Sequence, residues 1–287
     1  MKYLSDFEQY ISHSVSNALQ EDLGGSPGID LTAQLIPESQ MAVGELISRE
    51  KAIICGCQWV EETFNQLDTS LSLEWLVSEG EVVEANQKIL IIKGAARSIL
   101  TGERTAMNFL QTLSGTATTT RNYVEQLKGT QCKLLDTRKT IPGLRAAQKY
   151  AVTIGGGENH RVGLFDAYLI KENHIATAGG ISKAVQLARK LNSNVKLEVE
   201  VENLDELKEA ISAKADVIML DNFTKQMMKE AVAIKQETKT QTKFESSGDI
   251  TLENIKDYAS TGIDYISVGA LTKHLRAIDL SLRVKTV

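Results

Sequence analysis

Cysteine is scarce in this chain: three in 287 residues, a small and odd number that rules out a disulfide framework and points to a reducing cytoplasm. Cys55 and Cys57, one glycine apart, could suggest a metal or redox pair, but no matching Cys/His pair follows, so a structural role is expected. No apolar run approaches the roughly 20 residues that span a bilayer. The opening MKYLSDFEQY lacks the basic start and apolar centre of a signal peptide. A net charge of −5 with no Lys/Arg run leaves nothing to recruit nucleic acid. Also missing are a Walker A sequence, a Gly-x-Gly-x-x-Gly after a strand, a Gly-x-Ser-x-Gly elbow, and His-x-x-x-His or paired Cys-x-x-Cys ligands. The expectation is a protein with no organic cofactor, no membrane and no nucleic-acid partner.

What is present is an ordinary soluble composition. Hydrophobic residues make up 42% and charged residues 24%, enough for a sizeable core in one α/β domain or in a barrel with a smaller unit. Leu4, Phe7, Ile11, Val15 and Leu19 recur at helical spacing over residues 1 to about 18. A polar, glycine-rich loop follows, then strand patterns at 43–48, 52–55, 71–77 and 88–93, with a helix over 59–67. This third of the chain reads as mixed α/β with a small antiparallel sheet. From residue 99 a helical pattern runs on, and Ser114-Gly115 is expected to interrupt or kink it.

Beyond Gly129 strands and helices alternate. Strand candidates are 133–136, 167–171, 196–201, 216–220, 243–246 and 264–268, with 152–154 a possible seventh; helices are expected near 142–150, 181–191, 204–213, 224–236 and 251–259. That rhythm predicts a parallel sheet with crossover helices, better matched to a barrel than to a small open sheet. Active sites of parallel barrels lie at the carboxyl ends of the strands. Each clear strand here ends in a polar or small group. Early strands deliver Arg138, Lys139 and Lys171, with His160 and Arg161 between them; middle strands deliver Glu200 and Asp221; late strands end in Ser246-Ser247-Gly248 and Ser267-Val268-Gly269.

Small residues ahead of a helix suit phosphate, because free backbone N–H groups can point at the anion. Glu200 and Asp221 would then hold ribose hydroxyls, Mg²⁺, or both. The Glu198/Glu200/Glu202 face has a plainer reading as the solvated side of an edge strand. Glu198 is expected to pair with a core cation such as Lys171, and His174 to be a buried structural histidine. Gly155-Gly156-Gly157 reads as well as an ordinary loop.

Together these residues resemble the quinolinate phosphoribosyltransferases, or carboxylating nicotinate-nucleotide pyrophosphorylases. The carriers are Glu103-Arg104-Thr105, Asp136-Thr137-Arg138-Lys139-Thr140, Gly155-Gly156-Gly157 with Asn159-His160-Arg161, Ile170-Lys171-Glu172-Asn173-His174, Glu198-Val199-Glu200-Val201, Leu220-Asp221-Asn222, and the two Ser/Gly runs. The resemblance covers essentially the whole chain. It implies an incomplete, six- to seven-stranded TIM-like α/β barrel (residues 106–271) behind a mixed α/β N-terminal domain (1–105), with the tail 272–287 packing back on that domain. It implies a homodimer in which one subunit's N-terminal domain caps the other's barrel. It also implies transfer of a phosphoribosyl group from phosphoribosyl pyrophosphate to the ring nitrogen of quinolinate, with loss of CO₂, in de novo NAD biosynthesis. Thr137, Arg138, His160, Arg161 and Lys171 would bind substrate, joined by Arg104 from the other subunit. Lys139 would sit near the reacting groups, Glu200 and Asp221 at the ribose or its Mg²⁺, and Ser246, Ser247, Gly248, Ser267, Val268 and Gly269 at the 5-phosphate. Two rival readings are a molybdenum-associated paralogue with another acceptor and a non-catalytic sensor of phosphoribosyl pyrophosphate.

Overall fold

Ile11, Val15 and Leu19 form the buried stripe of α1 (Phe7–Leu23), the helical spacing at work. The computed structural model describes residues 7–25 and 28–287; Leu4 of the expected stripe and Ser26-Pro27 of the polar loop lie outside them. The chain divides into two units, residues 1–119 with 275–287, and residues 120–274.

In the first unit β1 (Met41–Ser48), β2 (Ala52–Ile53), α2 (Cys57–Leu67), β3 (Ser72–Trp75), β4 (Val82–Val83) and β5 (Lys88–Ala95) follow in order. β1 pairs antiparallel with β5, and β3 with β5. Ile89, Leu90 and Ile92 of β5 pack against Phe64 of α2 and Ile99 and Leu110 of α3 (Ala96–Gln126) in one core. The start of α2 explains the cysteine pair. Gly56 takes φ +110°, a conformation that suits glycine, and the N–H groups of Gly56 and Cys57 donate to the Glu79 carboxylate at 2.8 and 3.0 Å. Burial, reinforced by the Glu79 charge, pushes both thiols up, so neither is a ready metal ligand or nucleophile.

Ser114-Gly115 does not break α3, which runs unbroken from Ala96 to Gln126. Gly115 serves another purpose: a Cβ there would lie 2.2 Å from the carbonyl oxygen of Arg276. The glycine admits the returning C-terminal chain.

The second unit holds β6 (Lys133–Leu135), α4 (Arg145–Ile154), β7 (Ala167–Ile170), α5 (Glu172–Ala178), α6 (Ile181–Leu191), β8 (Lys196–Val201), α7 (Leu204–Ser212), β9 (Val217–Asp221), α8 (Lys225–Thr238), β10 (Lys243–Ser247), α9 (Ile255–Ala259), β11 (Tyr265–Ser267) and α10 (Ala270–Lys273). Its six strands are all parallel, in the order β6-β11-β10-β9-β8-β7. The barrel is open between β6 and β7, where a seventh strand at 152–154 was a possibility. Those residues end α4 instead, because Ala147, Ala151 and Val152 form a helical stripe with no exposed surface. A single parallel bridge, Leu135 to Glu158, is the only strand-like pairing on that side among the described residues. β8 lies between β7 and β9 and is therefore not an edge strand.

Leu197, Val199 and Val201 face the helices with Ile218, Leu220 and Phe244, all fully buried, in one continuous core. Beyond the barrel the chain returns to the first unit as β12 (Leu280–Thr286), antiparallel to β1 with Leu46 opposite Leu282. No helix among the described residues is long and apolar enough to cross a membrane.

Candidate active site

In a strand, alternate residues share a face, and that periodicity assembles the site. Leu169 and Lys171, Glu200, Met219 and Asp221, Glu245 and Ser247, and Ser267 line one cavity of about 280 Å³ at the carboxyl ends of β7 to β11. Thr137, Arg138 and Lys139, beyond the end of β6, and His160 and Arg161 complete it. Ten of the residues expected from sequence thus share one cavity: Thr137, Arg138, Lys139, His160, Arg161, Lys171, Glu200, Asp221, Ser247 and Ser267.

The long connection from β6 to β7 is shaped around Asp136, which has no exposed surface. Its carboxylate pairs with Lys149 of α4, also fully buried, and accepts from the Asn159 amide at 2.6 Å and the His160 backbone N–H at 2.9 Å. Burial pushes Asp136 up and Lys149 down, while their mutual attraction opposes both. The glycine triplet lets α4 stop and the chain turn back: Gly156 sits at φ +95°, and the Gly155 carbonyl accepts from Arg121 Nε at 2.9 Å. His160 and Arg161 follow directly.

Below the cations lies a second acidic layer that sequence reasoning left out of the site. Glu198 Oε2 holds His160 Nε2 at 2.7 Å, and Glu245 Oε2 is 3.6 Å from the same nitrogen. Burial pushes Glu198 up to about 7, against the pull of Lys196. Burial and the charge of Glu198 push Glu245 up to about 8, against His160. Burial lowers His160 in turn. The visible signal was an acid in the middle of a strand, Glu245 between Phe244 and Ser246. These three side chains bring one ligand atom each within 4.8 Å of one another, but the 2.7 Å contact is a hydrogen bond in its own right.

Glu198 therefore does not pair with Lys171. Lys171 Nζ donates to Glu200 Oε2 at 2.5 Å, because Glu200 sits one pleat nearer the strand end. His174 is exposed rather than buried, and its Nδ1 accepts from the backbone N–H of Lys171 at 3.1 Å. It caps the first turn of α5, and the loop position keeps it out of the core.

Arg138 and Arg161 repel one another: burial first, and then the Arg138 charge, lower Arg161 below the ordinary arginine value. Two guanidinium groups lining one cavity with Lys139 and Lys171 suit a planar polyanion. Arg138 Nε is buried with no hydrogen-bond partner among the described residues, as is Ser246 Oγ. Ser247 and Ser267 line the same cavity, whereas Ser246, Gly248, Val268 and Gly269, their neighbours in the chain, do not. Gly248 takes φ +102°, and a Cβ there would meet Asn222 Oδ1 at 2.1 Å; a Cβ on Gly269 would lie 2.9 Å from Lys139 Cδ. Both turns thus bring bare backbone close to the strand ends. Arg104 belongs to the first unit, exposed on α3.

An open α/β barrel whose mouth gathers two arginines, two lysines, carboxylates and two Ser/Gly turns suits an enzyme acting on small anionic substrates. Comparison with known proteins gives the family. Residues 116–283 match the quinolinate phosphoribosyl transferase C-terminal domain and residues 30–114 the N-terminal domain of the same family. The chain is similar to the carboxylating nicotinate-nucleotide pyrophosphorylase of Mycobacterium leprae, 39% identical over 94% of this chain and 95% of the other. It is also similar to the probable carboxylating nicotinate-nucleotide pyrophosphorylase of Bacillus subtilis, 40% identical over 92% and 90%. The solved structure of the nicotinate-nucleotide pyrophosphorylase from Francisella tularensis superposes with a TM-score of 0.91 at 51% identity, covering 97% of each chain. The chain belongs to the quinolinate phosphoribosyl transferase family.

Proposed function

We propose that the chain is a decarboxylating quinolinate phosphoribosyltransferase of NAD biosynthesis. It transfers the phosphoribosyl group of phosphoribosyl pyrophosphate to the ring nitrogen of quinolinate, giving nicotinate mononucleotide, CO₂ and diphosphate. The observation that carries the reading at the site is the convergence of Arg138, Arg161, Lys171 and His160 on a cavity that Glu200 and Asp221 share.

Quinolinate bears two adjacent carboxylates, and planar guanidinium groups grip carboxylates in pairs of parallel hydrogen bonds. Arg138, Arg161, Lys171 and His160 form the dicarboxylate side, with Thr137 beside them. Lys139 faces the reacting centre, where it stabilises the departing diphosphate electrostatically. Glu200 and Asp221 accept from the ribose hydroxyls, and Ser247, Ser267 and the bare turns at Gly248 and Gly269 receive the 5-phosphate. The diphosphate substrate brings Mg²⁺ with it; two carboxylates opening onto the cavity are hard oxygen donors that fit such an ion. Bound there, the ion would neutralise charge on the leaving group. Attack by the pyridine nitrogen leaves the ring cationic, so when CO₂ departs the electron pair left on the ring carbon is stabilised beside a positive nitrogen until a proton from water takes the carboxylate's place. Holding both substrates in line supplies much of the acceleration.

The active unit is a cytoplasmic homodimer with Arg104 of one subunit completing the other's dicarboxylate side. Support comes from the open barrel edge: Leu164, Phe165, Leu187 and Leu191 beside β7 are more than half exposed, and exposed apolar edges call for a cover. Mixed dimers of Arg104→Ala and Lys171→Ala subunits should recover partial activity; confirmed heterodimers with none would refute the shared site.

Incubation with quinolinate, phosphoribosyl pyrophosphate and Mg²⁺ should release CO₂ and nicotinate mononucleotide, while nicotinate in place of quinolinate gives little product. No CO₂ from active-site-titrated protein would favour the paralogue or the sensor reading. Arg161→Ala should lower kcat/KM for quinolinate at least about 100-fold; near-normal turnover would remove Arg161 from the site.

A further inference from the structure

Helix α4 points two polar side chains into places solvent does not reach, Gln148 and Lys149, each with no exposed surface. Adjacent residues leave a helix about 100° apart, so the two engage different loops. Lys149 Nζ pairs with Asp136 and donates to the His160 carbonyl at 3.2 Å. Asn159 Nδ2 ties the same loop to Asp136 Oδ2 at 2.6 Å and to the Lys149 carbonyl at 2.9 Å. The loop bearing His160 and Arg161 is thereby pinned on both sides.

Gln148 does different work. Its Oε1 accepts from the Ile141 N–H at 2.8 Å, and its Nε2 donates to the Thr272 carbonyl at 2.8 Å. Thr272 Oγ1 then donates to the Lys139 carbonyl at 2.8 Å, which closes a ring around the turns bearing Lys139 and Gly269. A buried ion pair is weak evidence for stability, since apolar residues of similar volume fold as well. What apolar residues could not supply is the set of acceptors and donors that these loops use.

We propose that Lys149 and Gln148 are positioning residues that set the two halves of the active site independently. Lys149, through Asp136, sets the dicarboxylate half that carries His160 and Arg161; Gln148 sets the phosphoribosyl half that carries Lys139 and the Gly269 turn. The inference rests on the assignment of substrates to the two halves given above. Its consequence is a split that a general structural role would not produce: each residue governs the KM of one substrate.

Steady-state kinetics with both substrates varied, beside thermal unfolding, tests this. Asp136→Asn combined with Lys149→Met removes both charges and so leaves no unpaired one. It should raise KM for quinolinate about tenfold or more, with KM for phosphoribosyl pyrophosphate within about twofold of wild type. Gln148→Met should do the reverse and also lower kcat. Should the paired variant not fold, Asn159→Ala, which keeps the ion pair, must still raise KM for quinolinate alone, by about threefold or more. Folded variants in which both KM values move together, or neither moves, overturn the inference. Wild-type protein that forms no product would sink the substrate assignment itself, and the inference with it.

Discussion

His160 touches two buried acidic clusters that are compensated in opposite ways. Its backbone N–H donates to Asp136, whose carboxylate is also matched by Lys149 and Asn159. Its ring Nε2 is held by Glu198, which together with Glu245 has no fully buried cation paired with it among the described residues. The first cluster is a closed network. The second is an excess of acid, pushed up by burial to about 7 and about 8. A fully satisfied buried network fixes geometry, whereas buried charge without a partner is costly and favours the neutral form of the acid. The fold thus gives one residue a rigid backbone and a side chain in a titratable setting.

The largest expected effect breaks the first cluster. Lys149→Met alone leaves Asp136 buried and unpaired, and should cost about 3–5 kcal/mol in urea unfolding. Glu245→Gln, by contrast, removes an acid whose ionisation burial opposes, and should be neutral or stabilising at pH 8. Equal losses in the two variants would erase the distinction between the clusters.

A smaller effect is the pH dependence. A carboxyl whose folded value lies above its unfolded value of about 4.5 binds its proton more tightly when folded, so its contribution is fully present at lower pH and lost as pH rises. For Glu198 and Glu245 the loss extends through about pH 7 and about pH 8. His160, lowered by burial, acts in the opposite sense only below its ordinary value. Between about pH 6.5 and 8 the wild type should therefore lose about 1.5 kcal/mol relative to Glu245→Gln in unfolding curves measured side by side. Parallel curves of equal slope would show that the pair is ionised throughout.

The smallest effect concerns the buried thiols. Burial raises all three thiols, Cys132 to about 12, so at pH 8 a thiol reagent should label none of them in the folded protein and all of them in urea. Rapid labelling of Cys57 in native protein would contradict its burial.

Much of this was legible in the residues. Period-2 alternation in β8 placed Glu198 and Glu200 on one face, and the six strand ends carried their polar groups to one mouth, as the cavity lining bears out. Helical spacing gave α6 (Ile181–Leu191) to the residue. Errors arose where a local signal has two physical causes. Ser114-Gly115 looked like a break, because glycine favours turns and close approach alike; only the Arg276 carbonyl distinguishes them. Val152-Thr153-Ile154 could be read as a seventh strand, because β-branching competes with a short helical stripe in isolation. His174 near a cation cluster looked buried, yet it caps a helix at the surface.

By itself the sequence determined the alternation of strand and helix, the set of cations, acids and Ser/Gly turns at the strand ends, and, by its motifs, the family. Those depend on periodicity and residue type, which are local. Tertiary structure alone decided that the barrel opens between β6 and β7, that Lys171 meets Glu200 while His160 meets Glu198, and that Gln148 and Lys149 reach separate loops. Each of these joins residues far apart in the chain, and such partners are chosen by strand register and burial rather than by spacing.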